Sequence, residues 1–339
     1  MAQERRKNPL IEGDEVIIAP ERFDRPFAFI NSRSSLSSDD PCPFCRGNEN
    51  YTTPETLAYR FSGSNQNDPR WWIRFVKNKY SAVSDAKNDA KSDRLLCASD
   101  ALGIHEVGIT CEHGADFGEQ GFDEKHNLTY EVLWAIHQRK VALMNKHPNF
   151  LFAEFFKNRG KEAGGSLDHP HIQLIATDVI PFRNRLEYLT SSKYNLENNR
   201  CLFCDLMKQE QETGDRIVEK NNDFIVLAPF ASRVPYETWI VPANHEEGYT
   251  ITREKALSLS GILRNTFSRL NHLLKNPDYN FSLQDAPLNL GNGGKNYHWY
   301  IELSPRLTKS GGWERGTWVY INPISPEKAA EEMRKAPTS

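Results

Sequence analysis

The sequence predicts an α+β chain built from two copies of one strand-rich unit, each with one long helix. Three observations predict it. A Cys-x-x-Cys pair occurs twice, as Cys42 and Cys45 in "DPCPFCRGNE" and as Cys201 and Cys204 in "NRCLFCDLMK". Each pair opens the same series of strand-like runs, a long helical segment and a closing strand-like section. Each series ends on a histidine in an equivalent place, His169 and His298. The units are residues 1–190 and 191–339, divided in the polar stretch "SSKYNLENNR".

In the first unit, "WWIRFVKNKYSAV" alternates as a strand does, and "GIHEVGITCEH" is a second strand-like run ending at His113. The helix follows in "LTYEVLWAIHQRKVALMNKH", with Leu128, Val132, Ile136 and Val141 near one face. The closing section is "NFLFAEFFKNRG" and then "HPHIQLIA". In the second unit, "DRIVEKNNDFIVLAPF" and "YETWIVPANH" lead to His245. The helix is "TREKALSLSGILRNTFSRLNHLLKN", with Leu257, Ile262, Leu263, Phe267 and Leu270 at helical spacing. Thr252 has Lys255 three residues on, so no capping box marks its start. "YNFSLQDAPL" and "YHWYIELSP" close the unit. Laid over each other, His169 matches His298, His171 matches Tyr300, and Gln173 matches Glu302.

At 339 residues, 38% apolar and 26% charged, the chain has ordinary globular composition and length for a large core. A net charge of -3 gives no electrostatic case for nucleic acid or an anionic membrane, so any phosphate must be held locally. No apolar run approaches membrane-spanning length, and "MAQERRKNPL" lacks the apolar core of a signal peptide. The expected location is the cytoplasm. Four of the six cysteines lie in the two pairs, which points to metal or redox work rather than disulfides.

Each unit offers two cysteines and two histidines: Cys42, Cys45, His113 and His169, then Cys201, Cys204, His245 and His298. Two thiolates and two imidazoles suit tetrahedral zinc. The Cys-x-x-Cys hairpin turns both sulfurs to one point, and the histidines arrive from strand ends. The spacings are not those of nucleic-acid-binding fingers. A redox pair is the competing reading; two pairs, each followed by histidines in the same order, favour zinc. His105 competes with His113 in the first set. Two structural zinc ions per chain are expected, each contributing on the order of 10 kcal/mol to folding.

His169 is then committed to metal. In a strand, residues two apart share a face, so His169 and His171 project together, although Pro170 makes the strand start irregular. A closed metal site needs no fifth ligand, which leaves His171 as a nucleophile facing a phosphate. The small residues of "GGSLDHPHIQ" allow close backbone approach and can cradle an anion. Gln173, on the same face, can donate its amide to a phosphoryl oxygen. The competing reading of His171 is a satisfied buried histidine. His126, His137, His147 and His272 are expected in solvent, and Cys97 and Cys111 unligated.

Four stretches resemble the galactose-1-phosphate uridylyltransferase branch of the histidine triad superfamily. They are "CPFCRGNE", "GIHEV" leading to His113, "NRGKEAGGSLDHPHIQ" and "GGWERGTWVYINPISPEKAAEEMR". The second Cys-Cys-His-His set resembles the two-zinc members, among them ADP-glucose phosphorylases. The resemblance implies a duplicated histidine-triad-like fold, with antiparallel sheets and flanking helices, working as a homodimer. It implies ping-pong nucleotidyl transfer through a covalent nucleotidyl-histidine, with His171 as nucleophile and Gln173 stabilising the adduct. Asn158, Gly165 and Ser166 would touch the donor's phosphates and Asn78 the nucleoside or its phosphate. Arg22 and Arg25 would reach across the dimer interface, and Glu314 would hold hexose hydroxyls. The partners implied are a nucleotide sugar and a sugar 1-phosphate or inorganic phosphate. The leading function is a hexose-1-phosphate nucleotidylyltransferase. The alternatives are an ADP-sugar or dinucleoside polyphosphate phosphorylase, a histidine triad hydrolase, and a nucleotide-binding zinc module without turnover.

Overall fold

Strand alternation decides which side chains meet the helices and which stay open to ligand. The structure is a computed structural model that describes residues 3–10, 13–20, 22, 41–60, 63–86, 92–111, 113, 128–289 and 296–338. In chain order its elements begin with β1 (Glu4–Lys7), β2 (Glu15–Ile18), β3 (Glu55–Arg60), β4 (Trp71–Lys77), β5 (Ala98–Asp100), β6 (Gly103–Thr110), α1 (Leu128–Lys146), β7 (Phe152–Arg159) and β8 (His171–Thr177). Then come α2 (Phe182–Asn198), α3 (Leu202–Thr213), β9 (Ile217–Lys220), β10 (Phe224–Leu227), β11 (Thr238–Pro242), α4 (Arg253–Leu274), β12 (Tyr279–Gln284), β13 (Tyr300–Pro305), α5 (Gly312–Thr317) and α6 (Pro326–Lys335).

Ten strands form one antiparallel sheet in the order β3-β4-β6-β8-β7-β12-β13-β11-β10-β9, and β2-β1-β5 form a small second sheet. The large sheet reads as two five-strand sets that abut where β7 pairs with β12, Asn158 opposite Asn280. The expected α+β class, with antiparallel sheet and flanking helices, is what the chain adopts; the two sets share one continuous sheet. Residues 191–198, at the expected division, are the end of α2.

β8 shows how alternation builds the site. Ile172, Leu174 and Ala176 point into the main core with α1 and α4, while His171 and Gln173 occupy the opposite face. β13 repeats the pattern, with Ile301 and Leu303 in that core and Tyr300 and Glu302 opposite. α1 packs on α4 over the same face of the sheet. Val132 and Ile136 are buried as the spacing predicts, but Val141 is exposed. Two buried ion pairs rotate the inward stripe away from Val141. Arg139 donates from Nε and Nη2 to the Glu106 carboxylate at 2.7 and 2.8 Å, and Lys140 pairs with Asp285. Thr252 caps α4 by accepting from the Lys255 N–H at 3.2 Å, without a capping box. His137 is half-buried rather than solvated, its Nδ1 taking the Ile251 N–H at 3.4 Å. His126 lies outside the described residues. No described helix is long and apolar enough to cross a membrane.

Asp285 also accepts the N–H groups of Tyr249 at 2.9 Å and Ala286 at 2.8 Å, so Lys140 joins α1 to the chain just after β12. Removing one partner strands a buried charge. Lys140→Ala is expected to lower stability by about 3–5 kcal/mol, read as a shift in the urea-unfolding midpoint.

Candidate active site and metal-binding sets

Cys42 and Cys45 sit in a tight turn closed by the Cys45 N–H on the Cys42 carbonyl at 3.3 Å. β6 ends just before His113, and β8 begins just after His169. These four side chains converge, their donor atoms all lying within 4.8 Å of one another. His113 Nδ1 is 3.2 Å from Cys45 Sγ, His169 Nδ1 is 3.7 Å from both sulfurs, and the two Nδ1 atoms are 3.3 Å apart. A tetrahedron on metal bonds of 2.0–2.3 Å has edges of roughly 3.3–3.8 Å, so the spacing fits one ion.

The protonation states fit as well. His169 Nε2–H donates to the Thr110 carbonyl at 2.7 Å, which turns the bare Nδ1 toward the sulfurs. Burial lowers the His169 pKa to about 4, so the ring is neutral at neutral pH. Burial and the adjacent Cys42 push the Cys45 thiol up to about 11. Two thiolates so close need a cation to share.

His171 is 7% exposed. Its Nδ1–H donates to the His169 carbonyl at 2.7 Å, which makes Nε2 the nitrogen with the lone pair. The ring stands edge-on to Phe44, centroids 5.3 Å apart. It lines two cavities. One, of about 430 Å³, also has Phe44, Tyr51, Asn78, Tyr80, Ser166 and Gln173 in its walls. The other, of about 320 Å³, is polar, with Lys157, Asn158 and Arg159 in its walls beside Asp168 and Asp278.

The turn between β7 and β8 admits only small residues where it closes. A Cβ on Gly165 would lie 2.8 Å from the Gly160 carbonyl oxygen, which already accepts the Gly165 N–H at 2.8 Å. Asn158 Oδ1 accepts from Asn280 Nδ2 at 2.8 Å, so the Asn158 amide nitrogen is the atom left to donate to a ligand.

A family model described as "Domain of unknown function (DUF4921)" matches residues 76–337. ADP-glucose phosphorylase of Arabidopsis thaliana is 29% identical over 348 residues, covering 98% of this chain and 92% of that protein. Galactose-1-phosphate uridylyltransferase of Thermotoga maritima is 30% identical over 245 residues, 70% of this chain and 75% of that protein. The crystal structure of an ADP-glucose phosphorylase from Arabidopsis thaliana with bound ADP-glucose matches with a TM-score of 0.75 at 28% identity, over 99% of this chain and 100% of that one. The chain belongs to the galactose-1-phosphate uridylyltransferase-like family. The fold class and the resemblance expected from sequence both hold for it.

In this uridylyltransferase-like chain the second set is partly assembled. Cys201, Cys204 and His245 come together, with His245 Nδ1 3.4 Å from Cys204 Sγ. The pair is carried on the first turn of α3, with Cys201 as its N-cap, not on a hairpin. Burial and the neighbouring Cys201 push the Cys204 thiol up to about 12. His298 stands outside the set. Its Nε2 is 3.0 Å from the Asn244 carbonyl and its Nδ1 3.2 Å from the Trp299 carbonyl. Burial lowers its pKa, and a neutral ring has one N–H for two carbonyls. The Asn244 bond copies that of His169 to Thr110, so the Nδ1 contact is the one a ring rotation relieves.

Of the other expected residues, Arg22 donates from Nη1 to the Tyr80 carbonyl at 2.7 Å, beside the larger cavity. Arg25 lies outside the described residues. Glu314 lines neither cavity; its Oε2 accepts the Gly311 N–H at 2.9 Å at the start of α5. Cys111 is buried, and Cys97 Sγ lies 3.5 Å from the Arg94 carbonyl. The sequence did not single out Lys157, Phe44 or Tyr80; their positions just before "NRG", within "CPFC" and just after "VKNK" were the available signal. His105 is not in the metal set: it lies beside Asn78 and Gln173.

We propose that a rotation of the His298 ring brings it into the second set as the fourth ligand when metal is bound. The purified chain is expected to carry one metal ion per set, and His298→Ala to lose the second ion selectively under mild chelation. Elemental analysis of wild type, His298→Ala and Cys42→Ala distinguishes the two sets. Unchanged metal content in His298→Ala would remove it from the ligands.

Proposed function

We propose that the chain is a nucleotidyltransferase that takes a nucleoside monophosphate from a nucleoside diphosphate sugar onto His171 and passes it to a phosphate-bearing acceptor. The observation that carries this reading is the His171 ring itself, with Nδ1 tied to a backbone carbonyl and cavities on both sides. The Nε2 lone pair attacks the α-phosphorus. The bond from phosphorus to the bridging oxygen breaks, and sugar 1-phosphate leaves with the electron pair. The Nδ1–H bond to the His169 carbonyl stabilises the positive charge that develops on the ring. An oxygen of the acceptor then displaces Nε2 and restores the free imidazole.

The surroundings support the division of substrate. Phe44, Tyr51 and Tyr80 suit a nucleoside, with Asn78 beside them for its phosphate. Lys157, Asn158 and Arg159 offer donors to the phosphate of the leaving group or acceptor, with Asp168 and Asp278 in the same walls available to sugar hydroxyls. Ser166 lines the first of these cavities and Leu167 lines both. Zinc is the ion that two thiolates and two imidazoles at tetrahedral spacing fit. With four protein ligands it contributes structure, tying the Cys42–Cys45 turn to the ends of β6 and β8.

The leading acceptor is a hexose 1-phosphate, as in the uridylyltransferases. A second reading, with inorganic phosphate as acceptor and an ADP-sugar as donor, is favoured by the plant phosphorylase matching along nearly the whole chain. We further propose a cytoplasmic homodimer. Trp313, Trp318, Val319, Tyr320 and Ile321 form an exposed apolar run around α5, the kind of surface a second copy covers. In that dimer Glu314, which lines neither cavity of its own chain, serves the partner's site.

Intact mass spectrometry tests the chemistry. Incubation with UDP-glucose, UDP-galactose or ADP-glucose is expected to add one nucleoside monophosphate to wild type, its mass naming the base. His171→Ala is expected to gain nothing while keeping its metal. Release of the adduct by galactose 1-phosphate or by inorganic phosphate names the acceptor. An adduct retained in His171→Ala, or none formed on wild type, contradicts the proposal.

A further inference from the structure

His105 is 4% exposed on β6, and its ring is pinned from both sides. The backbone N–H of Ala82 donates to Nδ1 at 3.0 Å. A neutral imidazole whose Nδ1 accepts must carry its one proton on Nε2. Two atoms lie near that proton: Gln173 Oε1 at 3.1 Å and Asn78 Nδ2 at 3.0 Å. An amide oxygen can accept it and an amide nitrogen cannot, so the bond runs to Gln173. Turning Asn78 over does not resolve the contest, because Asn78 Oδ1 already accepts the Tyr80 N–H at 2.8 Å.

We propose that His105 is a positioning residue, whose single ring proton holds the Gln173 amide with its oxygen inward and its NH2 group toward the cavity that contains His171. Asn78 is placed by the same contest. Its NH2 group gains no acceptor in His105, and it lines the same cavity. The backbone of Ala82 thus sets two amide donors through one imidazole, and both present N–H groups to phosphoryl oxygens. The opposite Gln173 orientation would aim a carbonyl oxygen at a phosphate and repel it. This deepens the nucleotidyl-transfer reading above and rests on it for its kinetic consequence, though not for the tautomer.

The kinetic test uses the full chain and single-turnover adduct formation, with whichever nucleotide sugar loads the wild type. His105→Asn retains an acceptor for Ala82 but cannot reach Gln173, and its rate is expected to fall roughly 10- to 100-fold. His105→Gln returns an N–H to the Nε2 position and is expected to recover most of that loss. In a Gln173→Ala background, His105→Asn is expected to change the rate by less than about twofold, because the two act through one bond. Metal content and melting temperature report whether each variant folds. Multiplying effects in the double variant, or no advantage of Gln over Asn at position 105, would show a merely structural role. Nitrogen-15 spectra of the wild type's histidines supply a readout that needs no turnover. They are expected to show His105 protonated at Nε2 alone; a proton on Nδ1 overturns the proposal whether or not the chain transfers nucleotides.

Discussion

The His169 carbonyl accepts the ring N–H of His171 at 2.7 Å, and the His169 ring is itself held between the Thr110 carbonyl and the sulfurs of Cys42 and Cys45. One residue therefore belongs to two assemblies. Its side chain joins the candidate metal set, and its backbone decides which nitrogen of the next imidazole carries the proton. Pro170 lies between them and, having no N–H of its own, leaves its carbonyl to β6, where Thr110 Oγ1 donates to it at 2.7 Å. A shift of the Cys42–Cys45 turn would move His169 and so alter the tautomer and aim of His171. In the proposed chemistry the metal set is thus a condition, although no step passes through it.

The second half shows the same framework with a tyrosine in the place of His171. Tyr300 stands where His171 does, and its hydroxyl donates to Glu187 of α2 at 2.7 Å. Tyr297 donates to the other oxygen of the same carboxylate at 2.8 Å. Glu302, the counterpart of Gln173, is paired with Arg183 and Arg233. Burial pushes its carboxyl up, but the two guanidinium groups outweigh that and hold it below the ordinary carboxylate range. α2 thus fills the space that the first half leaves open. The strand that presents His171 and Gln173 to a cavity in one half presents a lock for a helix in the other.

Much of this was legible because it is written in residue types that have few other uses. Cysteine pairs and histidines in matching order point, before any fold is known, to the donor groups that the structure brings together as Cys42, Cys45, His113 and His169 and as Cys201, Cys204 and His245. Strand alternation correctly put His171 and Gln173 on one face and Ile172 and Leu174 on the other. Other features depend on pairings between distant residues. Val141 looked like a core position because the buried partners of Arg139 and Lys140, Glu106 and Asp285, cannot be read from helical spacing. α2 and α3 went unread because their buried faces are narrow: only Asn184 and Ser191 of α2 are buried. His298 matched His169 in sequence, yet a ring rotation separates a donor from a bystander. His105 looked like a spare metal ligand, since nothing in "GIHEV" tells that its partners are an amide oxygen of β8 and a backbone N–H at Ala82.

The central claim is that Nε2 of His171, and no other atom, takes the nucleotide. Phosphorus–nitrogen correlation spectroscopy on protein carrying nitrogen-15 histidine, loaded with its nucleotide sugar and quenched, tests it at the bond in question. The account predicts a single phosphoramidate with phosphorus bonded to Nε2 of His171. Phosphorus on Nδ1, on a different histidine, or on an oxygen would contradict it.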